Sequence, residues 1–251
     1  MNNTDNVLVS VVMPAYNAES FLAESIESAL NQTFKALEVV VVDDGSSDST
    51  VAIAESYGDR VRVFCQKNGG AAAARNNAVS KARGEWIAFL DADDIWLPGK
   101  IERQMAEASG KVWSHTNSVF VGAGNDGTIK SSDRAPQFGG NVVTELVVNN
   151  FIGTSTVIIS REVFEELGGF DESLRAIQDW DLWLRVSARH ELAYLPAVLA
   201  KYRVHASSTS RSARKTLPNH LKVIGRSFSD GGAGEEYPAL RKLALASSYG
   251  V

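Results

Sequence analysis

WIAFLDADDIW, residues 86–96, joins an apolar run to three carboxylates, Asp91, Asp93 and Asp94. Residues 85–90 read as a buried strand, and the charges begin where the strand ends. Like charges packed at the edge of a core cost energy unless something positive neutralises them. The stretch therefore predicts a sheet whose strand ends carry chemistry.

Working outward, three more runs have the same character: LVSVV (8–12), LEVVVV (37–42) and VRVFC (61–65). Their unbroken apolarity suggests a sheet covered on both faces. Helical segments separate them. ESFLAESIESALNQ places Phe21, Leu22, Ile26, Ala29 and Leu30 at helical spacing. Ser47-Asp48-Ser49-Thr50 offers N-caps for a second helix through Ala54, and GAAAARNNAVSKAR forms a third, stopped at Gly84. Alternating strands and helices imply βαβ units in an α/β fold with a mostly parallel wound sheet. Past Trp113 the pattern changes. Residues 122–140 read as a polar, Gly-rich mobile loop; TSTVIIS and AVLAKYRV read as strands, REVFEELGG and QDWDLWLRVSAR as helices. The tail from about 211 is basic and polar before a helical EEYPALRKLALASS.

Composition excludes several classes. A net charge of −5 argues against a nucleic-acid partner, which needs a basic face. The single Cys65 excludes an intrachain disulfide. The N-terminus lacks the basic region of a secretory signal, and no apolar stretch approaches the roughly 18 residues of a spanning helix. These features lead us to expect a soluble cytoplasmic protein, at most touching the inner face of a membrane.

In a wound parallel sheet, ligands bind at the carboxyl ends of strands. Pro14-Ala15-Tyr16-Asn17 follows the first strand, Asp43-Asp44-Gly45-Ser46 the second and Asp91-Ala92-Asp93-Asp94 the fourth, so all three converge on one rim. Alone, each fits ordinary turn or cap chemistry. A hard cation accounts best for the carboxylates: Mg²⁺ or Mn²⁺ takes one or two, and substrate phosphates complete its shell. A calcium EF-hand is excluded, because Trp96 stands where that loop requires Gly and Ile95 and Leu97 stand in ligand slots. No phosphate-cradling P-loop or GxGxxG follows the first strand.

The ordered set VSVVMPAYNAESFLAESIESALNQTF, VVVVDDGSSDST, NGGAAAARNNAVSKARGEWIAFLDADD, GGFDESL, QDWDLWLRV and YRVHASSTS, spread over residues 8–210, resembles the family 2 glycosyltransferases. The resemblance implies a GT-A fold and inverting transfer of a sugar from a nucleotide diphosphate donor, most simply UDP-linked, to a carbohydrate or lipid-linked acceptor hydroxyl. It divides the chain into a donor-binding half (1–110), an acceptor and catalytic half (111–210) and a helical tail (211–251). By the same resemblance, Pro14, Ala15, Tyr16 and Asn17, with Asp44 and Asp43, embrace the base and ribose, and Asp91-Ala92-Asp93 is the DxD element. Asp93 becomes the direct metal ligand, with Asp91 on the ribose or the metal's water shell. His205 matches a further metal or diphosphate contact, or is an ordinary packing residue. Lys67 and Arg75 are candidates to assist the departing diphosphate, Arg75 alternatively bracing loops.

Asp179 matches the general base. The family usually shows Glu-Asp there, and this chain has Gln178-Asp179. Asp181 is the rival, about 200° further around the helix, so the two cannot face one acceptor. Two other readings remain open. A nucleotidyltransferase would want a Gly/Arg-rich loop where this chain has PAYNAES, and a non-catalytic nucleotide-sugar-binding subunit gains a foothold from Gln178. Lys201, Arg203, Arg211, Arg214 and Lys215 form a basic cluster that either meets anionic lipid or diphosphate or is simply solvated.

Overall fold

The computed structural model describes residues 9–108, 110–205 and 213–249. Its first strands are β1 (Val9–Ala15), β2 (Leu37–Asp43), β3 (Arg62–Cys65) and β4 (Trp86–Phe89). They lie parallel in the order β3-β2-β1-β4. The intervening helices are α1 (Leu22–Leu30), α2 (Thr50–Glu55) and α3 (Ala71–Lys81). Both faces of this sheet are covered, which is why the strands are apolar without alternation. Val11, Met13, Val39 and Val41 pack with Leu22 and Ile26 of α1, whereas Val12, Val40 and Val42 pack with Ala74 and Ala78 of α3. The polar exception, Ser10, is fully buried. Its hydroxyl donates to Glu38 Oε1 (2.6 Å) and accepts from the Gly84 amide (2.8 Å). Gly84 is therefore not the stop of α3, which ends at Lys81 with Ala82 already extended.

The second half adds β5 (Ile95–Trp96), α4 (Lys100–Glu107), β6 (Trp113–Gly122), β7 (Asn125–Lys130), α5 (Ser131–Arg134), α6 (Val143–Leu146), β8 (Ile158–Ser160), α7 (Arg161–Glu166), α8 (Gln178–Ser187) and β9 (Ala193–Arg203). β8 runs antiparallel between β4 and β6, β9 lies parallel to β6, and β5 closes the order antiparallel to β9. Two more helices follow, α9 (Ala213–Ser227) and α10 (Arg241–Tyr249). α9 packs on α8, with Val223 and Ile224 joining the core cluster of Trp180 and Trp183. Burying such large apolar side chains contributes roughly 1.5–3 kcal/mol each, so this last layer is part of the core.

Three expectations change here. Residues 122–140 are not a mobile loop: β6 and β7 form a hairpin turning through Gly122, Ala123 and Gly124, all at positive φ, with Asn125 Nδ2 donating back to the Gly122 carbonyl (2.9 Å). The segment read as one strand, TSTVIIS, divides into a tight turn, Thr154–Thr156, and β8. The polar tail conceals α9. Of the basic cluster, Arg203 is bonded to Glu24 (2.5 Å), while Arg211 and the side chains of Arg214 and Lys215 lie outside the described residues.

β6 also buries a polar row, Ser114 to Ser118. Gln104 Nε2 donates to Ser114 Oγ (3.0 Å), and Asn117 Nδ2 donates to Ser132 Oγ of α5 (2.8 Å). His115 stacks on Tyr194 (4.7 Å between ring centres), and its Nε2 lies 2.9 Å from the Phe138 carbonyl. Burial lowers its pKa from 6.5 to about 4, the Phe138 carbonyl opposing. A base with a depressed folded pKa contributes stability that is complete above the unfolded value of 6.5 and lost as pH falls towards 4. The full difference is roughly 3 kcal/mol. We predict that the stability gap between wild type and His115→Gln, from urea unfolding, shrinks by about that amount between pH 7 and pH 4. A gap independent of pH would show that His115 titrates normally.

Candidate active site

The loops after β1 and β2 are tied into one rim. Asn17, at φ 47°, accepts the Ser47 amide on Oδ1 (2.9 Å), and its own amide donates to Ser46 Oγ (2.8 Å). Ala15 is buried and its carbonyl accepts the Asp44 amide (2.8 Å); Pro14 is half-buried, whereas Tyr16 is 55% exposed and presents a free ring face. The two aspartates after β2 behave differently. Asp44 is saturated: its carboxylate accepts Gln66 Nε2, the Gly69 amide and the Gly70 amide, each at 2.8 Å. Asp43 accepts the Gly45 and Ser46 amides on Oδ2 (both 3.0 Å), and its buried Oδ1 has no partner. Of the two aspartates, Asp43 therefore carries the unsatisfied acceptor. Lys67 is exposed on the loop that Asp44 gathers.

The carboxylates after β4 already have resident partners. Asp91 Oδ1 pairs with Arg75 Nη2 at 2.6 Å. Arg75 is buried, with its guanidinium 5.5 Å from the centre of the Phe170 ring. Burial opposes its charge, but Asp91, with Asp179 and Asp93 further off, outweighs that and raises its pKa. Asp93 Oδ2 lies 2.7 Å from His205 Nε2, whose ring packs on Phe21. Burial, then repulsion from Asp91, raises the Asp93 pKa against the pull of His205. Asp94 is not a helix cap: it is buried at the edge of the cavity described below. Its buried carboxyl accepts Ser155 Oγ (2.6 Å) and the Arg203 amide (2.9 Å), and burial with two neighbouring aspartates holds its pKa well above the usual range. Arg75 thus supplies, at Asp91, positive charge of the kind that the sequence assigned to a cation, and His205 presents a ring nitrogen to Asp93.

A cavity of about 360 Å³ joins these groups to the second half of the chain. Arg75, Asp91, Asp93 and Asp179 all line it. Asn150 Nδ2 (3.2 Å) and Thr154 Oγ1 (3.3 Å) both donate to Asp179 Oδ2, and the Trp180 amide also acts on this carboxylate. Burial raises the Asp179 pKa, with Arg75 pulling the other way. Asp181 faces elsewhere. It is held by Arg185 (2.8 Å) and approached by Arg226 (3.6 Å), and it lines a separate cavity of about 530 Å³ that contains none of the strand-end residues. Gln178 lines the Asp179 cavity with its buried Oε1 unpartnered.

The residues present fit a hard cation that a ligand completes. Asp91 Oδ2 and Asp93 Oδ1 are the carboxylate oxygens outside the Arg75 and His205 contacts, and His205 stands at Asp93. Among the described residues no three metal-binding side chains form a ready-made cage, as expected where one or two carboxylates hold the ion and phosphate oxygens close its shell. Sequence reasoning missed Asn150, Thr154, Arg175, Tyr202 and Thr216, which also line the cavity. Apart from Tyr202, which opens YRVHASSTS, none lies in a quoted motif. Thr216 comes from α9, and Arg175 Nη1 reaches across to the Gly69 carbonyl (3.1 Å) on the opposite rim.

Comparison with known proteins agrees with this geometry. The Escherichia coli enzyme UDP-Glc:alpha-D-GlcNAc-diphosphoundecaprenol beta-1,3-glucosyltransferase WfgD is 34% identical over 227 residues, 88% of this chain and 87% of that one. Staphylococcus aureus TarS 1-349 in complex with UDP-GlcNAc superposes with a TM-score of 0.73 at 21% identity, covering 96% of this chain and 71% of that one. The mannosyltransferase PcManGT from Pyrobaculum calidifontis, in complex with GDP-Man and Mn²⁺, gives 0.71 at 20% identity over 97% and 73%. The sheet is that of the GT-A glycosyltransferases. The profile of glycosyl transferase family 2 matches residues 10–168. On this match, which takes in the whole strand-end rim, the chain belongs to glycosyl transferase family 2.

Proposed function

We propose that the protein transfers a sugar from a UDP-sugar to an acceptor hydroxyl with inversion, that the reaction depends on Mg²⁺ or Mn²⁺, and that Asp179 is the general base. The carrying observation is one cavity lined by Asp91, Asp93, Arg75 and Asp179, with Asp181 tied to Arg185 outside it. Asp93 and Asp91, with His205, hold the cation. A cation held there would supply positive charge to the departing nucleoside diphosphate. Arg75 and Lys67 supply fixed positive charge on the same side. In this reading Asp43 Oδ1, buried and unpartnered, accepts the N3–H of uracil, Tyr16 offers a stacking face, and Pro14, Ala15, Asn17 and Asp44 shape the pocket around base and ribose. The bond from the anomeric carbon to the diphosphate oxygen breaks as the acceptor oxygen bonds from the opposite face. The acceptor proton passes to the Asp179 carboxylate.

A carbohydrate or lipid-linked acceptor in surface-polysaccharide or glycolipid synthesis is the setting we infer, supported by the likeness to the E. coli glucosyltransferase. No helix among the described residues is long and apolar enough to cross a membrane. The donor half (1–110), the acceptor half (111–210) and the tail share this one cavity, to which α9 contributes Thr216. UDP rather than GDP is inferred from the single free carboxylate oxygen at Asp43, and a competition assay in which GDP binds more tightly would reverse that preference.

Asp93→Asn should keep its melting temperature within a few degrees and lose Mn²⁺-dependent UDP binding in calorimetry; undiminished binding would remove Asp93 from the cation site. Asp179→Asn should lower single-turnover transfer roughly 10²–10⁴-fold with UDP affinity unchanged. Asp181→Asn should instead lower thermal stability, because it strips a carboxylate from Arg185. An inactive Asp181 variant beside an active Asp179 variant would reverse the assignment of the base.

A further inference from the structure

Between α6 and β8 the chain makes a turn, residues 150–156, that touches both sets of carboxylates. On one side Asn150 Nδ2 and Thr154 Oγ1 converge on Asp179 Oδ2. On the other, Ser155 Oγ donates to Asp94 Oδ2 (2.6 Å) and accepts the Asp91 amide (3.1 Å). The turn itself is held at several points. The Thr156 amide donates to the Gly153 carbonyl (2.9 Å), Trp96 Nε1 to the Ser155 carbonyl (2.7 Å) and Gln104 Nε2 to the Thr156 carbonyl (3.0 Å). Ser155 and Thr156 are buried, and Gly153 lines the cavity. The same few residues therefore fix the end of β4 and the start of α8, which are about ninety positions apart in sequence.

We propose that Asn150 and Thr154 are positioning residues for Asp179, and that the 150–156 turn sets the base against the cation-binding end of β4. This rests on the reading of Asp179 as the base. Two donors on one carboxylate oxygen stop the group from rotating without breaking both hydrogen bonds, and so they fix the direction in which the carboxylate faces the cavity. Both contacts are long for their kind, so their main effect is orientation. Misplacing a catalytic group by about 1 Å can cost up to 10²-fold in rate. They also favour the ionised carboxylate. The other groups acting on Asp179 are Arg75 from α3, Asp91 from the end of β4, the Trp180 amide on its own helix and His220 from α9.

The test compares Thr154→Val, Asn150→Ala and the conservative Thr154→Ser in the full chain. Its first readout is the titration of the Asp179 carboxyl, followed by NMR with ¹³C-labelled aspartate and assigned with Asp179→Asn. Its second is release of UDP from UDP-glucose and from UDP-N-acetylglucosamine, to water or acceptor. Thr154→Val and Asn150→Ala should each shift the Asp179 titration to higher pH and lower kcat about tenfold, with the donor KM unchanged. Thr154→Ser should restore both. An unmoved titration in both variants would overturn the proposal. So would a loss that Thr154→Ser fails to restore and that merely follows a fall in melting temperature. Full activity in Asp179→Asn would overturn the base assignment instead, a result separable from either of these.

Discussion

Three aspartates at the end of one buried strand repel each other, and the ion pair of Arg75 with Asp91 makes that arrangement tolerable. Arg75 is almost entirely enclosed, yet its Nε and Nη1 have no hydrogen-bond partner. Charge, more than hydrogen bonding, keeps it in place. Removing one partner of such a pair leaves an uncompensated charge and typically costs about 3–5 kcal/mol where both are buried; Asp91 is partly open to water, which moderates the figure. Because Arg75 sits on α3 and also acts on Asp179, this charge ties together the first helix–strand layer, the end of β4 and the start of α8.

The neighbouring rim is built by neutral means. Asp44 gathers the Gln66 side chain and two glycine amides, and Asn17 joins the loop after β1 to the loop after β2. A carboxylate with three donors is a structural clamp, whatever its place in a motif. Asp43 next to it keeps one buried oxygen unpaired, a state that is costly in a resting protein and natural where a ligand supplies the missing donor.

What could be read from the sequence follows from how each element is stabilised. β1, β2 and β4 were plain because burial on two faces demands unbroken Val, Ile and Phe, and α1 because its apolar stripe has helical spacing. β6 was invisible for the opposite reason: Ser114-His115-Thr116-Asn117-Ser118 is a polar run, and its burial is licensed by Gln104, Phe138, Ser131 and Ser132, far along the chain. α9 resembled a solvated tail because its buried residues, Val223 and Ile224, are few. At the site, motif positions identified Asp91, Asp93, Asp179 and Arg75, all of which the cavity brings together. They could not tell Asp43 from Asp44, since only hydrogen-bond saturation separates the two. Asn150 and Thr154 escaped notice because a positioning role needs a contact, and contacts between residues some thirty positions apart leave no local pattern.

The boundary of the family match adds a different perspective. It ends at residue 168, whereas Asp179, Arg175, Tyr202 and Thr216, which form the other wall of the cavity, all come later. The end of the profile is thus not the end of the site: Asp179 of α8 and Thr216 of α9 reach the cavity from beyond it, and a fragment cut at residue 168 would lose a large share of the lining.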